Sequence, residues 1–385
     1  MSREILNPRI KRIILHIGLH KTGTSSIQLS FFRAADILKE HGVLYPTSWV
    51  SPNPWSAQHD HFLYILFKED ITYYMRNIGF SASRIAEDRQ AGEGKLMEEL
   101  RTTDAHTVII SSENVSLFED KDLHNIYTFF HTHFDAKIDV FIYTRHHIEW
   151  TRSMLQQLVR QHHTYQSAWP YINDHAAVVY TSIYQRCVTI FGAHNTHLRT
   201  YENLVAHPKG IIAGFCSDIG IDIDTEQLPK FTINQSMTQF AIDICDYINT
   251  HEPLNTNDAI NPKRKIGDNY PLTFIRGPRF EIPASMMTQI EDFFAAYIAT
   301  LYEQFGIDYR TPRASSNTDA SYFTLNDEFY ESLTKAYTAS SSVIRSLIIG
   351  YLHHAIHHEV RLRDADRQLF LQLIPNLEQI PATSS

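Results

Sequence analysis

The residues best placed to do chemistry begin with Gly18-Leu-His-Lys-Thr-Gly-Thr-Ser25. A short apolar run precedes them: Ile13, Ile14, Leu15 and Ile17 read as a strand buried on both faces. After them Ile27, Phe31, Ala35 and Leu38 recur at helical spacing. Thr24, Ser25 or Ser26 is available to cap that helix, and Gly42 is placed to end it. A strand, a Gly-containing loop and a helix N-terminus turn backbone N–H groups toward one point, which makes an anion site. Lys21, the loop's lysine, lies two residues before Gly23. A nucleoside triphosphate loop needs its lysine directly after the second glycine, where this chain has Thr24. The spacing therefore counts against an ordinary NTPase or P-loop kinase.

Further residues of functional type fall at the ends of apolar runs. Thr107-Val-Ile-Ile-Ser-Ser-Glu113 ends in a carboxylate. Lys137-Ile-Asp-Val-Phe-Ile-Tyr-Thr-Arg145 ends in an arginine, with Ser153 eight residues on in a helical stretch from His147 to Gln161. Thr196-His-Leu-Arg-Thr-Tyr-Glu202 places Tyr201 at the end of another run. Gly42 to Pro46 reads as a further short strand. Helical segments lie between most of these strands, including 62–101, interrupted at Gly92 and Gly94, and 203–219. Strands separated by helices imply a mostly parallel sheet flanked by helices. Ligands bind such sheets beyond the carboxyl ends of the strands. The loop, Glu113, Arg145 and Tyr201 all belong at that edge.

The order Lys-Thr-Gly-Thr-Ser resembles the 5′-phosphosulfate loop of sulfotransferases, which use 3′-phosphoadenosine 5′-phosphosulfate (PAPS) as donor. Arg145 with Ser153 resembles that family's 3′-phosphate pair, and the planar fork of an arginine suits a phosphate. Tyr201-Glu-Asn203 resembles a Tyr-Glu-Asp segment whose tyrosine lies against the adenine. Lys263-Arg-Lys-Ile-Gly-Asp268 loosely resembles a basic segment over the 3′-phosphate, through Arg264 and Lys265. Cytosolic members place a tryptophan after the loop where this chain has Ser26, so the adenine needs another flat partner or the chain belongs to a different branch. The resemblance spans about residues 11–308. It implies the P-loop NTPase-like sulfotransferase fold and a bacterial-type carbohydrate sulfotransferase.

Under that resemblance each residue has an expected role. Lys21 stabilises the departing phosphate, while N–H groups from Thr22, Gly23, Thr24, Ser25 and Ser26 hold it. No metal is required, because the transferred group carries less charge than a γ-phosphoryl. Glu113 is the general base toward an acceptor hydroxyl, and burial is expected to raise its pKa. Cytosolic members carry a histidine in what looks like this position. The alternative for Glu113 is a carboxylate that caps the next helix or pairs with an arginine. His59, Asp60 and His61 lie in a turn-rich stretch, 47–61, where they touch an acceptor or serve as polar loop residues. The acceptor expected is a carbohydrate or glycolipid. A P-loop kinase and a non-catalytic adaptor remain as other readings.

With 385 residues, the chain is expected to form a domain over 1–308, a linker over 309–325 and a helical extension over 326–385. That extension is expected to pack on the domain, on another subunit or on a partner. A net charge of −9 counts against a general nucleic-acid binder. The three cysteines are too few and scattered for a disulfide framework, and they read as buried thiols. No apolar run is long enough for a membrane span, and no signal peptide is evident, so a cytoplasmic location is expected. The 22 histidines include the pairs His353-His354 and His357-His358, one helical turn apart. Without a nearby carboxylate or cysteine to complete a ligand set, they read as a solvated, pH-sensitive face rather than a metal site.

Overall fold

The computed structural model describes residues 5–48, 50, 57–71, 81–231, 236–256, 259–310, 326–359 and 362–381. The strands β1 (Arg12–Gly18), β2 (Val43–Leu44), β3 (Thr107–Ser112), β4 (Lys137–Thr144) and β5 (Thr196–Thr200) form one parallel sheet. Their order is β2-β3-β1-β4-β5. β1 is central, and every residue of it after Arg12 is buried. This is why its sequence is a continuous apolar run rather than an alternation. The chain leaves β1 toward β2, returns to β3, and then crosses to β4 on the far side. The strand ends around β1 therefore lie at the topological switch, where parallel sheets bind ligands.

Register aligns those ends. Ile17 pairs with Ser112, and Gly18 with Tyr143. Thr144 pairs with Thr200. The loop after β1, Glu113, Arg145 and Tyr201 thus leave the sheet along one edge.

The sheet belongs to the first of two compact units, which comprises Met1–His146, His175–Ile233 and Glu303–Ile307. Its helices are α1 (Thr24–Arg33), α2 (Ala35–Glu40), α3 (Asp60–Phe67), α4 (Ala82–Thr102) and α5 (Asp120–His133). The second unit comprises His147–Asp174, Asn234–Tyr302 and Asp308–Ser385. It contains α6 (His147–Arg160) and the first half of α7 (Tyr165–Thr181). α8 (Ile183–Phe191), α9 (Tyr201–Ala206) and α10 (Ile211–Ile219) return to the first unit. α11 (Gln239–His251), most of α12 (Ala284–Phe305), α13 (Asp327–Ala339), α14 (Ser342–His358) and α15 (Asp364–Glu378) complete the second.

Some boundaries differ from expectation. The helix expected over 62–101 is α3 and α4, and α4 runs through Gly92 and Gly94 without a break. Gly92 is needed for packing: a Cβ there would stand 2.5 Å from the ring of Phe62 on α3. The helix expected over 203–219 is two, α9 and α10. Between them lie Pro208 and Gly210, whose φ of 84° and ψ of −177° suit only glycine.

The helices after 326 share a core with α11. The Phe240 ring lies 5.1 Å from Phe329, 5.4 Å from Tyr351 and 5.7 Å from Phe370. The two units therefore cut across the boundary expected at 308. Most of the expected linker, 311–325, falls outside the described residues. Cys187, Cys216 and Cys245 are buried, and burial pushes the first two thiols up to about 12. Among the described residues no helix is long and apolar enough to cross a membrane.

Candidate active site

Residues 19–23 turn the chain from β1 into α1. Both Lys21, at φ 70°, and Gly23, at φ 79°, are left-handed. For lysine this conformation costs about 1–2 kcal/mol, and such strain persists where the surroundings enforce it. Space is as tight as conformation. A Cβ on Gly23 would stand 2.3 Å from Ile211 Cδ1 and 3.0 Å from Tyr201 Cε2. A Cβ on Gly18 would stand 2.2 Å from Thr24 Oγ1. The loop is closed internally as well, since the buried Thr22 hydroxyl donates to Leu19 O at 2.6 Å.

The helix start leaves donors available. Ser26 N–H donates to Gly23 O at 3.1 Å, and Ile27 N–H to the same oxygen at 3.3 Å. Thr24 and Ser25 begin α1 and have no preceding helical turn to accept their N–H groups. Together with the helix dipole they favour an anion at this end. Ser26 was expected among the N–H donors to phosphate, but its N–H already serves Gly23.

Arg145 ties this loop to two other strand ends. Its Nη1 donates to Lys21 O at 2.7 Å, and its guanidinium lies 4.7 Å from the centroid of the Tyr201 ring. Tyr201 opens α9, which Thr200 caps through Asn203 N–H. Lys21, Gly23, Arg145 and Tyr201, read from separate stretches of sequence, are thus brought together.

Glu113 stands one residue past β3, at the N-cap of a short 3-10 turn, Asn114–Leu117. Its Oε2 lies 3.1 Å from His20 Nδ1, with each side chain 19% exposed. Burial pushes the Glu113 carboxyl up, but the hydrogen bond from His20 and the charge of Lys21 outweigh it and hold it below its usual range. The expectation of a raised pKa is therefore corrected. What the sequence could not show was a cationic loop facing the strand end. Glu113 is ionised at neutral pH and able to accept a proton.

Behind the couple lie buried polar groups. His16 Nδ1 is 2.9 Å from Ser111 Oγ, to which Gln28 Nε2 donates at 3.1 Å. Burial lowers the His16 pKa to about 3. Asp60 is 3% exposed and hydrogen-bonds Ser112 and Asn114, the neighbours of Glu113.

The remaining expected residues are placed otherwise. His59 is fully buried, with Ser111 N–H donating to Nδ1 and Nε2 2.9 Å from Pro46 O. Burial takes its pKa down to about 4, so it is a neutral ring with both nitrogens bound to backbone. His61 is 3.4 Å from Asp88 on α4 and is buried. In this geometry neither imidazole is offered to an acceptor. Ser153 is in α6, in the second unit, and half-buried.

Arg264 is a correction. Its guanidinium is spent within the second unit on Asp268, at 2.7 and 2.9 Å, on Asn269 at 3.1 Å, and on Glu252 O. A basic run in sequence does not show that the aspartate closing it captures the arginine and turns it inward. Lys265 is exposed. Arg152, one residue before Ser153, pairs with Glu149 and with Glu281 at 2.7 Å.

Two residues carry more than their sequence context suggested. His20 was visible only as part of the loop, and its position beside Lys21 was the signal. Asp60 sat in the turn-rich stretch with no pattern linking it to β3. Among the described residues no group of three or more His, Cys, Asp or Glu is arranged to hold a metal ion.

No protein-family model matches the chain, and no curated protein matches it significantly. Among solved structures it is similar to a sulfotransferase from Alicyclobacillus acidocaldarius, at 16% identity and TM-score 0.45, covering 78% of this chain and 99% of that one. It is also similar to the sulfotransferase domain from the curacin biosynthetic pathway, at 12% identity and TM-score 0.34, covering 56% and 76%. A third likeness is to retinol dehydratase in complex with androsterone and inactive cofactor PAP, at 13% identity and TM-score 0.35, covering 79% and 83%.

Proposed function

We propose that this protein is a PAPS-dependent sulfotransferase acting on a hydroxyl, with a carbohydrate or glycolipid as acceptor. The observation that carries the reading is the ionised Glu113, held by His20 beside a left-handed, lysine-bearing loop at a helix N-terminus. In the reaction the bond between sulfur and the phosphate oxygen breaks, and a bond forms from sulfur to the acceptor oxygen. The acceptor proton passes to Glu113. The charge left on the phosphate is met by Lys21 and by the N–H groups at the start of α1. The product nucleotide is adenosine 3′,5′-bisphosphate.

The residues present suit the nucleotide. Arg145 already stacks on Tyr201 and supplies a cation at the sheet edge, and Tyr201 offers a flat face to an adenine. On the resemblance alone, Ser153 and Lys265 are kept as proposed 3′-phosphate contacts. Arg264 is left out of this role, because its donors are occupied. His59 and His61 are left out of acceptor binding on the same ground.

A kinase reading is disfavoured by Thr24 in the place of the P-loop lysine and by Arg145 at the end of β4. The test is transfer of labelled sulfate from PAPS to a panel of glycans, without added metal, for wild type and Glu113→Ala. Wild-type transfer is expected, with the variant about 100- to 10,000-fold slower while still binding adenosine 3′,5′-bisphosphate. A variant that turns over like wild type removes Glu113 from the mechanism.

A further inference from the structure

Asp60 opens α3 and is 3% exposed. Its two oxygens are divided between the residues on either side of Glu113. Oδ1 accepts from the Ser112 hydroxyl and, at 3.4 Å, from the Asn114 backbone N–H. Oδ2 accepts from the Asn114 side chain at 2.6 Å. The Ser112 hydroxyl oxygen also accepts from Val115 N–H at 3.3 Å. One side chain therefore spans residues 112 and 114 and holds the backbone at 113 in place. A buried carboxylate is costly to desolvate. An aspartate at a helix start that served only the dipole would need neither burial nor these partners.

We propose that Asp60 is the positioning residue of the base: by bridging Ser112 and Asn114 it fixes the direction in which Glu113 faces the lysine loop. The inference rests on the reading of Glu113 as the base. The groups facing Asp60 are Glu113 from the end of β3, His20 from the loop after β1, and Tyr45 from the segment after β2. Burial and the charge of Glu113 push the Asp60 carboxyl up to about 6, against the hydrogen bonds from Ser112 and Asn114 and the charge of His20. Once protonated, one oxygen carries a hydrogen and no longer accepts as before. The bridge then opens as pH falls through about 6, while Glu113, held below its usual range, is still ionised. The acid limb of turnover accordingly reports Asp60 and not Glu113.

Two readouts test this, and the first needs no activity. In protein labelled with 15N-asparagine, the Asn114 amide shift titrates with a midpoint near pH 6 in wild type and is flat in Asp60→Asn. In the second, Asp60→Asn lowers kcat roughly 10- to 100-fold with KM for PAPS unchanged. The exchange variant Asp60→Asn/Asn114→Asp recovers most of the rate, because amide and carboxylate have traded places. Wild-type Asn114 side-chain amide hydrogens that exchange as fast as those of an exposed asparagine overturn the bridge, even if Asp60→Asn fails to fold. A single variant with wild-type kcat, or an exchange variant no faster than the single one, overturns the positioning role. If wild type transfers no sulfate from PAPS, the reading of the base fails, and the exchange rate of the Asn114 side-chain amide still decides the bridge.

Discussion

Replacing Gly23 with alanine separates the conformational demand of the loop from its crowding. Gly23 has φ 79° and ψ 9°, so any L-residue there pays the left-handed cost of about 1–2 kcal/mol. The new Cβ would also stand 2.3 Å from Ile211 Cδ1 and 3.0 Å from Tyr201 Cε2. Ile211 begins α10, and Tyr201 lies under Arg145, so relief of the clash moves the group that anchors Lys21 O. Overpacking of this kind adds about 1–3 kcal/mol. The sum is about 2–5 kcal/mol of lost stability. Gly220 is the control: it has φ 67° and ψ 40°, and the nearest atom to an added Cβ is Arg12 Nη1 at 3.8 Å. Gly220→Ala is expected to lose only the left-handed cost, about 1–2 kcal/mol. The assay is urea denaturation followed by tryptophan fluorescence, with adenosine 3′,5′-bisphosphate titrated into each variant under native conditions. Gly23→Ala is expected to be the less stable of the two and to bind the nucleotide at least about tenfold more weakly, in keeping with a contact displaced at the anion site. Equal stability losses at the two glycines, with nucleotide binding intact at Gly23→Ala, would refute the view that the loop is shaped against Tyr201.

Further outcomes concern residues turned inward. His59 has its pKa lowered from 6.5 to about 4, so the unfolded chain takes up its proton first as pH falls. Its contribution is present above pH 6.5 and is lost progressively toward pH 4, by about 3 kcal/mol. His59→Gln is expected to flatten the pH dependence of unfolding free energy across that window, and an unchanged slope would contradict the buried neutral ring. Arg264→Ala leaves Asp268 without its partner inside the second unit and is expected to cost about 3–5 kcal/mol. Its nucleotide affinity is expected to stay unchanged at low temperature. A variant of wild-type stability that binds adenosine 3′,5′-bisphosphate tenfold more weakly would return Arg264 to the phosphate site.

The lysine loop was legible because its signals are local. Glycine spacing, a single lysine and an apolar helix face all lie within thirty residues of one another. Glu113, Arg145 and Tyr201 were legible as the ends of apolar runs, since a parallel sheet puts strand ends on one edge. The His20–Glu113 couple was not, because it depends on β1 and β3 being neighbours in register. The direction of the Glu113 pKa was misjudged for the same reason: burial is readable from sequence, but the groups opposite are not. Arg264 misled because a basic run does not show which side chain an adjacent aspartate captures. Gly92 misled because a glycine inside a helix reads as a break, whereas here it makes room for the Phe62 ring. Asp60 was legible only as a polar residue of a turn-rich stretch and a candidate acceptor contact, since its partners are fixed by the meeting of α3 with the end of β3.

The central claim is that the site takes a 3′-phosphorylated adenosine 5′-phosphate without a metal. Isothermal titration of wild-type protein tests it directly, with adenosine 3′,5′-bisphosphate in the presence of a chelator and, separately, with ATP and magnesium. Saturable binding of the bisphosphate, unaffected by the chelator and weakened by Arg145→Ala, is the result predicted. Binding of magnesium ATP with none of the bisphosphate would contradict the claim and make the protein a nucleoside triphosphate enzyme.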